Sequence, residues 1–188
     1  MNGFSKTRIL TECAILIALG TVLAQIKILR MPSGGSVTLL SMLPFIIISF
    51  RHGPKWGLLS GLANSALQMA LGGVYAPPAG TVWALLGSVL LDYVLAYAVL
   101  GLACLFALPQ KNKALGVAAG TLTVCFFRFL CALFSGFLIW GSLADGVWAA
   151  FVYSFGYNAA YMIPETLLTV AGAYLLAKAN FGIFRTQK

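Results

Sequence analysis

The stretch from Trp83 to Leu108 reads WALLGSVLLDYVLAYAVLGLACLFAL, and it decides the fold. It runs for about 26 residues, and about 20 predominantly apolar residues in a helix suffice to cross the roughly 30 Å hydrocarbon core of a bilayer. Its one carboxylate, Asp92, lies well inside the stretch, where a charge facing lipid costs on the order of 2.5 kcal/mol or more. We therefore expect Asp92 to face the protein interior or a water-filled cavity.

A small, polar face surrounds this acid. Ser88, Asp92 and Ala96 lie on one side of the predicted helix because residues four apart stack above one another, and Tyr93 lies beside them. This face is the first candidate for a ligand site. A second interpretation is also open, in which Asp92 forms an internal ion pair with Arg128, near the middle of the next predicted helix.

The composition is that of an integral membrane protein. The 188 residues are 61% hydrophobic and only 9% charged, which soluble domains do not approach. The length accommodates about six helices of 20 or more residues with short connections, so we predict an all-α membrane protein with six transmembrane helices in a single domain over residues 1–188. The sequence contains no Walker A loop and no hydrolase or metal-binding motif, and it predicts no catalytic residue, cofactor or metal.

The net charge of +8 is best explained as a topology signal and not as nucleic-acid binding. Nine basic residues fall on one side of the predicted spans: Lys6, Arg8, Arg51, Lys55, Lys111, Lys113, Lys178, Arg185 and Lys188. The alternate connections hold only Lys27 and Arg30. Because basic residues concentrate in cytoplasmic loops, we predict that both termini are cytoplasmic and that the connections at 31–35, 75–81 and 143–148 face outward.

The first part of the chain predicts two helices separated by a break. The run 9–29 is predicted as the first helix, and its Ala14 and Ala18 form a small-xxx-small pair that packing within the protein would explain. The Pro- and Gly-containing segment 27–35 ends this helix. Ser36 is predicted to cap a second helix over 36–50.

The last predicted helix, 147–179, is polar in its first half. Ser154, Asn158, Tyr161 and Glu165 follow one face, with tyrosines 153 and 157 on either side. We expect Asp92, Tyr93, Tyr153 and Asn158 to converge below the outer connections, where carboxylate, amide and aromatic groups would bind a small polar or aromatic solute.

Three segments resemble the thiamine-specific substrate-binding subunits, or S components, of energy-coupling factor vitamin transporters. They are GGSVTLLSMLPFIIISFRHGPKWGLLSGL at Gly34–Leu62, LDYVLAYAVLGLACLF at Leu91–Phe106 and YSFGYNAAYMIPE at Tyr153–Glu165. The resemblance implies a six-helix S-component fold in a prokaryotic plasma membrane. It also implies uptake driven by a transmembrane coupling subunit and two cytoplasmic ATPase subunits, so that the chain itself is not an enzyme.

The resemblance also implies roles for individual residues. Those that match the thiamine pocket of the family are Tyr75, Asp92, Tyr93, Trp140, Tyr153 and Asn158. An alanine-rich first helix docks on the coupling subunit in that family, which implies this role for Ala14 and Ala18. The resemblance predicts thiamine or a thiamine-like heterocycle as the ligand.

Three positions depart from the family pattern. Met31 stands where many members have tryptophan, Ala132 stands where a pocket histidine is expected, and Asp92 is one methylene shorter than the glutamate of other members. These changes remove stacking area and a hydrogen-bonding group, each worth about 1 kcal/mol or more. A different vitamin or a pyrimidine precursor is therefore an alternative ligand, and a membrane scaffold subunit without a ligand is the alternative from another class.

Overall fold

The computed structural model describes residues 5–32, 34–109, 112–143, 145–179 and 184. The helices are α1 (Lys6–Gln25), α2 (Leu43–His52), α3 (Pro54–Gly72), α4 (Val82–Phe106), α5 (Lys113–Leu138) and α6 (Val147–Lys178). Two short antiparallel strands, β1 (Lys27–Arg30) and β2 (Ser36–Thr38), form a hairpin between α1 and α2. A 3₁₀ turn at Trp140–Leu143 leads into α6.

Within the described residues, four helices are long and apolar enough to cross a membrane, namely α1, α4, α5 and α6. The helix α2 is apolar but has only 10 residues, and its side chains from Leu43 to Phe50 are buried against α1, α3, α4 and α6. A short apolar helix of this kind is a core element shielded by its neighbours. Six transmembrane helices and cytoplasmic termini stay predictions, and Lys111, Arg185 and Lys188, which contributed to the charge count, lie outside the described residues.

The prediction for the segment after α1 is wrong. The first helix ends at Gln25, Ser36 begins strand β2 opposite Arg30, and α2 starts only at Leu43. The chain reverses at Gly34 and Gly35, whose φ angles of 94° and 82° suit glycine. A short apolar run gives the same signal whether it forms a strand or a buried helix, so the sequence did not distinguish the two.

The helix α4 is packed closely from two sides. A Cβ atom on Gly57 would meet the main chain of Gly101, and one on Gly61 would meet the carbonyl of Tyr97. On the other side, Gly120 of α5 approaches the α4 backbone equally closely. Small residues on α3 and α5 allow this contact between helix backbones.

The outer face of α1 is different. Ala14 and Ala18 are exposed, as are the larger apolar side chains around them: Leu10, Ile15, Leu19 and Val22. Packing within the protein therefore does not explain the alanine pair, and that expectation is wrong. The exposed apolar face is available to lipid or to another protein.

The opposite, inward-facing side of α1 carries an ion cluster. Glu12 accepts hydrogen bonds from Arg51 through both carboxylate oxygens, and Arg8 Nε lies 3.0 Å from its Oε1. The His52 Nε2 lies 2.9 Å from Oε2. The cluster joins α1 to the end of α2 and lies among residues that the charge pattern predicts to be near the cytoplasm.

Candidate ligand-binding site

A cavity of about 560 Å³ lies between the hairpin and α3, α4, α5 and α6. This volume is in the range of small-molecule sites. The structure brings all six predicted binding residues to its wall: Tyr75, Asp92, Tyr93, Trp140, Tyr153 and Asn158. Residues from two of the three connections predicted to face outward, 31–35 and 75–81, also line it. The role of the six residues in binding stays a prediction.

The Asp92 carboxyl is held by neutral donors. Over Val89–Leu95 the helix α4 widens into π-helical turns, a feature that often marks functional sites. The hydroxyl of Ser88 donates to Asp92 Oδ2 at 2.9 Å and that of Ser135 donates to the same oxygen at 2.6 Å. The Trp140 side chain also lines the cavity beside them. The carboxyl therefore faces the cavity and not lipid, as expected.

Arg128 interacts with the next turn of α4. Its guanidinium carbon lies 4.2 Å from the centre of the Tyr97 ring, and Nη1 donates to the Ala96 carbonyl at 3.3 Å. Among the ion pairs of the described residues, none joins Asp92 to Arg128. The interpretation of Asp92 as half of an internal ion pair is therefore not supported, because the arginine is engaged by an aromatic face and a carbonyl.

Asn158 is fixed by bonds on both sides of its amide. Its Nδ2 donates to the Ala132 carbonyl at 3.2 Å and to the Ser154 carbonyl at 2.9 Å, which uses both hydrogens. Its Oδ1 accepts from the Tyr161 hydroxyl at 2.9 Å. This geometry requires α5 and α6 to approach closely, and Gly136 permits it, since a Cβ atom there would meet Ser154 and Asn158.

Two polar residues of the cavity wall, Asp92 and Asn158, retain acceptor capacity. An ionised carboxylate has about four lone-pair sites, and both hydroxyl donors of Asp92 engage Oδ2, so its Oδ1 can still accept. Asn158 has no hydrogen left to donate, but its Oδ1 can accept one more bond. These two side chains can therefore accept hydrogen bonds from a group placed in the cavity.

Aromatic rings surround the entrance. The Tyr93 hydroxyl donates to the Gly73 carbonyl at 3.3 Å and accepts from the Tyr75 main-chain nitrogen at 3.4 Å, which ties the connection after α3 to α4. The rings of Tyr153 and Tyr157 stack with centres 5.8 Å apart. Flat rings of this kind suit a heterocyclic ligand.

Other residues line the cavity but were not among the predicted site residues. They include Arg128, Tyr157, Tyr161 and Glu165, together with Lys27 and Arg30 of the hairpin. The polar stripe of the last helix is confirmed, since Ser154, Asn158, Tyr161 and Glu165 are all buried. That stripe already indicated Tyr161 and Glu165. No pattern indicated Lys27 and Arg30, because the hairpin was predicted as a simple helix break.

Like Asp92, the other two departures from the family pattern lie on the cavity wall. Met31 is at the hairpin turn, and Ala132 is on α5, where its carbonyl accepts from Asn158. Neither side chain supplies an aromatic ring or an imidazole.

Long apolar helices around a cavity of small-molecule size are typical of a membrane protein that binds a small solute. Residues 10–185 match the family described as Thiamine transporter protein (Thia_YuaJ). The chain is 32% identical over 199 residues to the thiamine transporter ThiT of Bacillus subtilis (strain 168), with 100% of both sequences covered. It also resembles the solved structure of ThiT from Listeria monocytogenes with a TM-score of 0.74 at 24% identity, covering 96% of this chain and 98% of that one.

The chain belongs to the thiamine transporter protein family. It is accordingly a multi-pass transporter protein of a prokaryotic cell membrane. The resemblance found from the sequence motifs is thereby confirmed at the level of the family. The likeness to the solved structure concerns the fold.

Proposed function

We propose that this chain is the substrate-binding S component of an energy-coupling factor transporter. In this role it captures thiamine, or a closely related heterocycle, from outside the cell for ATP-driven uptake. The family membership supports the transport of thiamine, and the cavity supports capture by a preformed site. The hydrolysis of ATP belongs to partner subunits in this proposal.

The observation that carries the proposal is the acceptor capacity of two residues on the cavity wall. Asp92 and Asn158 both retain oxygen lone pairs after their protein partners are counted. Thiamine combines an aminopyrimidine, which donates through its exocyclic amine, with a permanently cationic thiazolium ring. Acceptors match the first part, whereas a carboxylate and the faces of Tyr153 and Tyr93 match the second.

A pyrimidine precursor is the second candidate ligand, and the residues at two positions favour it. Met31 and Ala132 leave the cavity with fewer ring and imidazole contacts than the family pattern implies. The aminopyrimidine alone would still meet Asp92 and Asn158. It would lack the charged thiazolium ring. The Asp92 carboxylate would therefore attract a positive charge in thiamine but not in the precursor.

Fluorescence titration of the purified protein tests the ligand. Trp140 lines the cavity, so its emission should change on binding. Thiamine is expected to give a saturable change with a Kd near or below 1 μM, which corresponds to about −8 kcal/mol. The aminopyrimidine alone, riboflavin and biotin form the comparison panel. A flat response to thiamine in calorimetry as well as fluorescence would remove thiamine as the ligand.

A Trp140→Phe variant is the control for the optical signal. It should lose most of the fluorescence change while calorimetry still detects heat of binding, because Phe retains a ring. A tighter Kd for the aminopyrimidine than for thiamine would favour the precursor. No saturable ligand in the whole panel would favour the scaffold alternative.

The proposal includes the arrangement in the membrane. A single domain with six membrane-crossing helices and both termini in the cytoplasm would direct the hairpin and the connection at Tyr75 outward. The exposed Ala14 and Ala18 on α1 would then contact the coupling subunit, since small residues allow another helix to approach closely. Two ATPase subunits would complete the transporter.

Large side chains on α1 test the docking surface. Ala14→Trp and Ala18→Trp are expected to abolish thiamine uptake by cells while leaving the Kd of the solubilised protein unchanged within about twofold. Leu167→Trp on α6 is the matched control, because Leu167 is also an exposed apolar residue. Normal uptake by both alanine variants would contradict the docking assignment without affecting the assignment of the ligand.

A further inference from the structure

Strand β2 and the chain before it run along one face of α6. Three successive contacts join them: Gly34 meets Tyr157, Gly35 meets Tyr161 and Thr38 meets Glu165. The three α6 residues are spaced at i, i+4 and i+8, a rise of about 12 Å at 1.5 Å per residue. The four steps from Gly34 to Thr38 span about 13 Å in an extended chain. The two spacings match, so the strand can contact every turn of the helix.

The contact at Glu165 differs in kind from the other two. The Thr38 main-chain N–H donates to Oε2 and the Thr38 hydroxyl donates to Oε1. The Ser41 hydroxyl lies 2.6 Å from the Thr38 hydroxyl oxygen and 3.5 Å from Oε1. Glu165 and Thr38 are only 4% and 5% exposed. Hydrogen bonds to a carboxylate are roughly twice as strong as neutral ones, so this is the strongest link between the hairpin and α6.

The contacts nearer the hairpin turn are weaker. The Tyr157 hydroxyl donates to the Gly34 carbonyl at 2.8 Å, which is a single neutral bond. Gly35 lies against the Tyr161 ring, where a Cβ atom would be 2.7 Å from Cε1. The Tyr161 hydroxyl in turn donates to Asn158 Oδ1. The hairpin, the aromatic residues and the ligand acceptor are therefore parts of one packed unit.

We propose that Glu165 is a positioning residue for ligand binding, because it fixes strand β2 as the outer wall of the cavity. Both of its oxygens are engaged by Thr38, so it acts through the hairpin and not by touching the ligand. The inference rests on the proposed function in that it concerns the same cavity. It assigns to the second acid of the cavity a task different from that of Asp92, whose two hydroxyl donors both engage Oδ2 and leave Oδ1 without one.

The first test measures the ligand-free protein. Hydrogen–deuterium exchange of the segment around Thr38 should be about tenfold faster in Glu165→Ala than in wild type, the effect of losing one charge-assisted bond. Glu165→Gln should lie between the two, since an amide oxygen still accepts. Thr169→Val is the control, because the Thr169 hydroxyl donates to the Glu165 main-chain carbonyl and leaves its carboxylate unchanged. Unchanged exchange in Glu165→Ala would overturn the proposal.

The second test measures the release of thiamine by stopped-flow fluorescence. Glu165→Ala and Thr38→Val should each increase the dissociation rate several-fold, and the double variant should be no faster than the Glu165→Ala variant, because both changes break one link. A different outcome would be a dissociation rate in Thr38→Val as slow as in wild type, together with a higher Kd in Glu165→Gln. It would mean that Glu165 binds the ligand directly, and it would overturn the proposal. If wild type binds no thiamine, the proposed function fails while the exchange measurement still decides the role of Glu165.

Discussion

Two acids inside helices, Glu12 in α1 and Asp92 in α4, have opposite surroundings. Glu12 is contacted by three basic side chains, those of Arg8, Arg51 and His52. Asp92 accepts from the hydroxyls of Ser88 and Ser135, with the Trp140 indole nearby. The first acid is neutralised by the protein itself, whereas the second has neutral partners and an adjacent cavity.

This difference suggests how a structural acid can be told from a binding acid in a membrane protein. A carboxylate whose charge is already balanced gains little from a cationic ligand, and it serves to join helices. A carboxylate held only by neutral donors keeps its charge for a partner that arrives later. Substitution of Asp92 is therefore expected to change the affinity for the ligand, and substitution of Glu12 is expected to change the stability of the protein.

The largest effect is expected from Asp92→Asn. The substitution keeps the size of the side chain but removes its negative charge, and hydrogen bonds to charged groups contribute about 1.5–3 kcal/mol. The Kd for thiamine should rise about 100-fold by calorimetry, whereas the thermal midpoint of the ligand-free protein should change little. Asp145→Asn, in the exposed turn before α6, is the matched control and should leave both quantities unchanged.

A parallel loss of affinity and thermal stability in Asp92→Asn would contradict the distinction between the two acids. It would mean that the Ser88 and Ser135 bonds hold α4 against α5 and that the ligand effect is indirect. The same measurements on Ser135→Ala, which removes one donor and leaves the charge, separate the two explanations.

A smaller effect, on a different quantity, is expected from Glu12→Gln. Three basic groups would lose their anion, and the free energy of unfolding should fall by about 2 kcal/mol. The Kd for thiamine should stay within about twofold of wild type. Denaturant unfolding in mixed micelles measures the first quantity and calorimetry the second.

Arg8→Gln provides the control for Glu12→Gln. The Arg8 side chain is 58% exposed, so its removal should cost less than about 1 kcal/mol. A weakened Kd in Glu12→Gln would show that the cluster is linked to the cavity, and the comparison between the two acids would then fail.

The sequence was sufficient for the main helices and for the polar face of α4. Apolar length predicted α4 and α6 to within a few residues, because lipid requires a long uninterrupted helix. It was not sufficient for the hairpin. Ser36 begins a strand because Gly34 and Gly35 allow a reversal and Glu165, distant in the sequence, supplies bonding partners for Thr38. Such long-range contacts have no local signature.

The sequence also predicted part of the candidate site, namely the residues on the cavity wall but not all of their partners. The carboxylate in an apolar run indicated Asp92, and the stripe on α6 indicated Asn158, so both were placed on a common cavity in advance. The partner of Asp92 was less predictable. Arg128 has the complementary charge, but it lies over Tyr97, and Ser135 supplies the bond instead. Which of two nearby polar groups meets an acid depends on helix rotation, which the sequence does not specify.

The smallest effect is expected from Tyr153, at the exposed edge of the cavity. Its side chain is 58% exposed and its ring stacks on Tyr157, so Tyr153→Ala should cost about 1 kcal/mol, or about a fivefold higher Kd for thiamine. Tyr153→Phe retains the ring and should stay within about twofold. A loss in Tyr153→Ala as large as that in Asp92→Asn would show that ring stacking, and not the unneutralised carboxylate, dominates affinity. Calorimetry at one salt concentration compares the three variants directly.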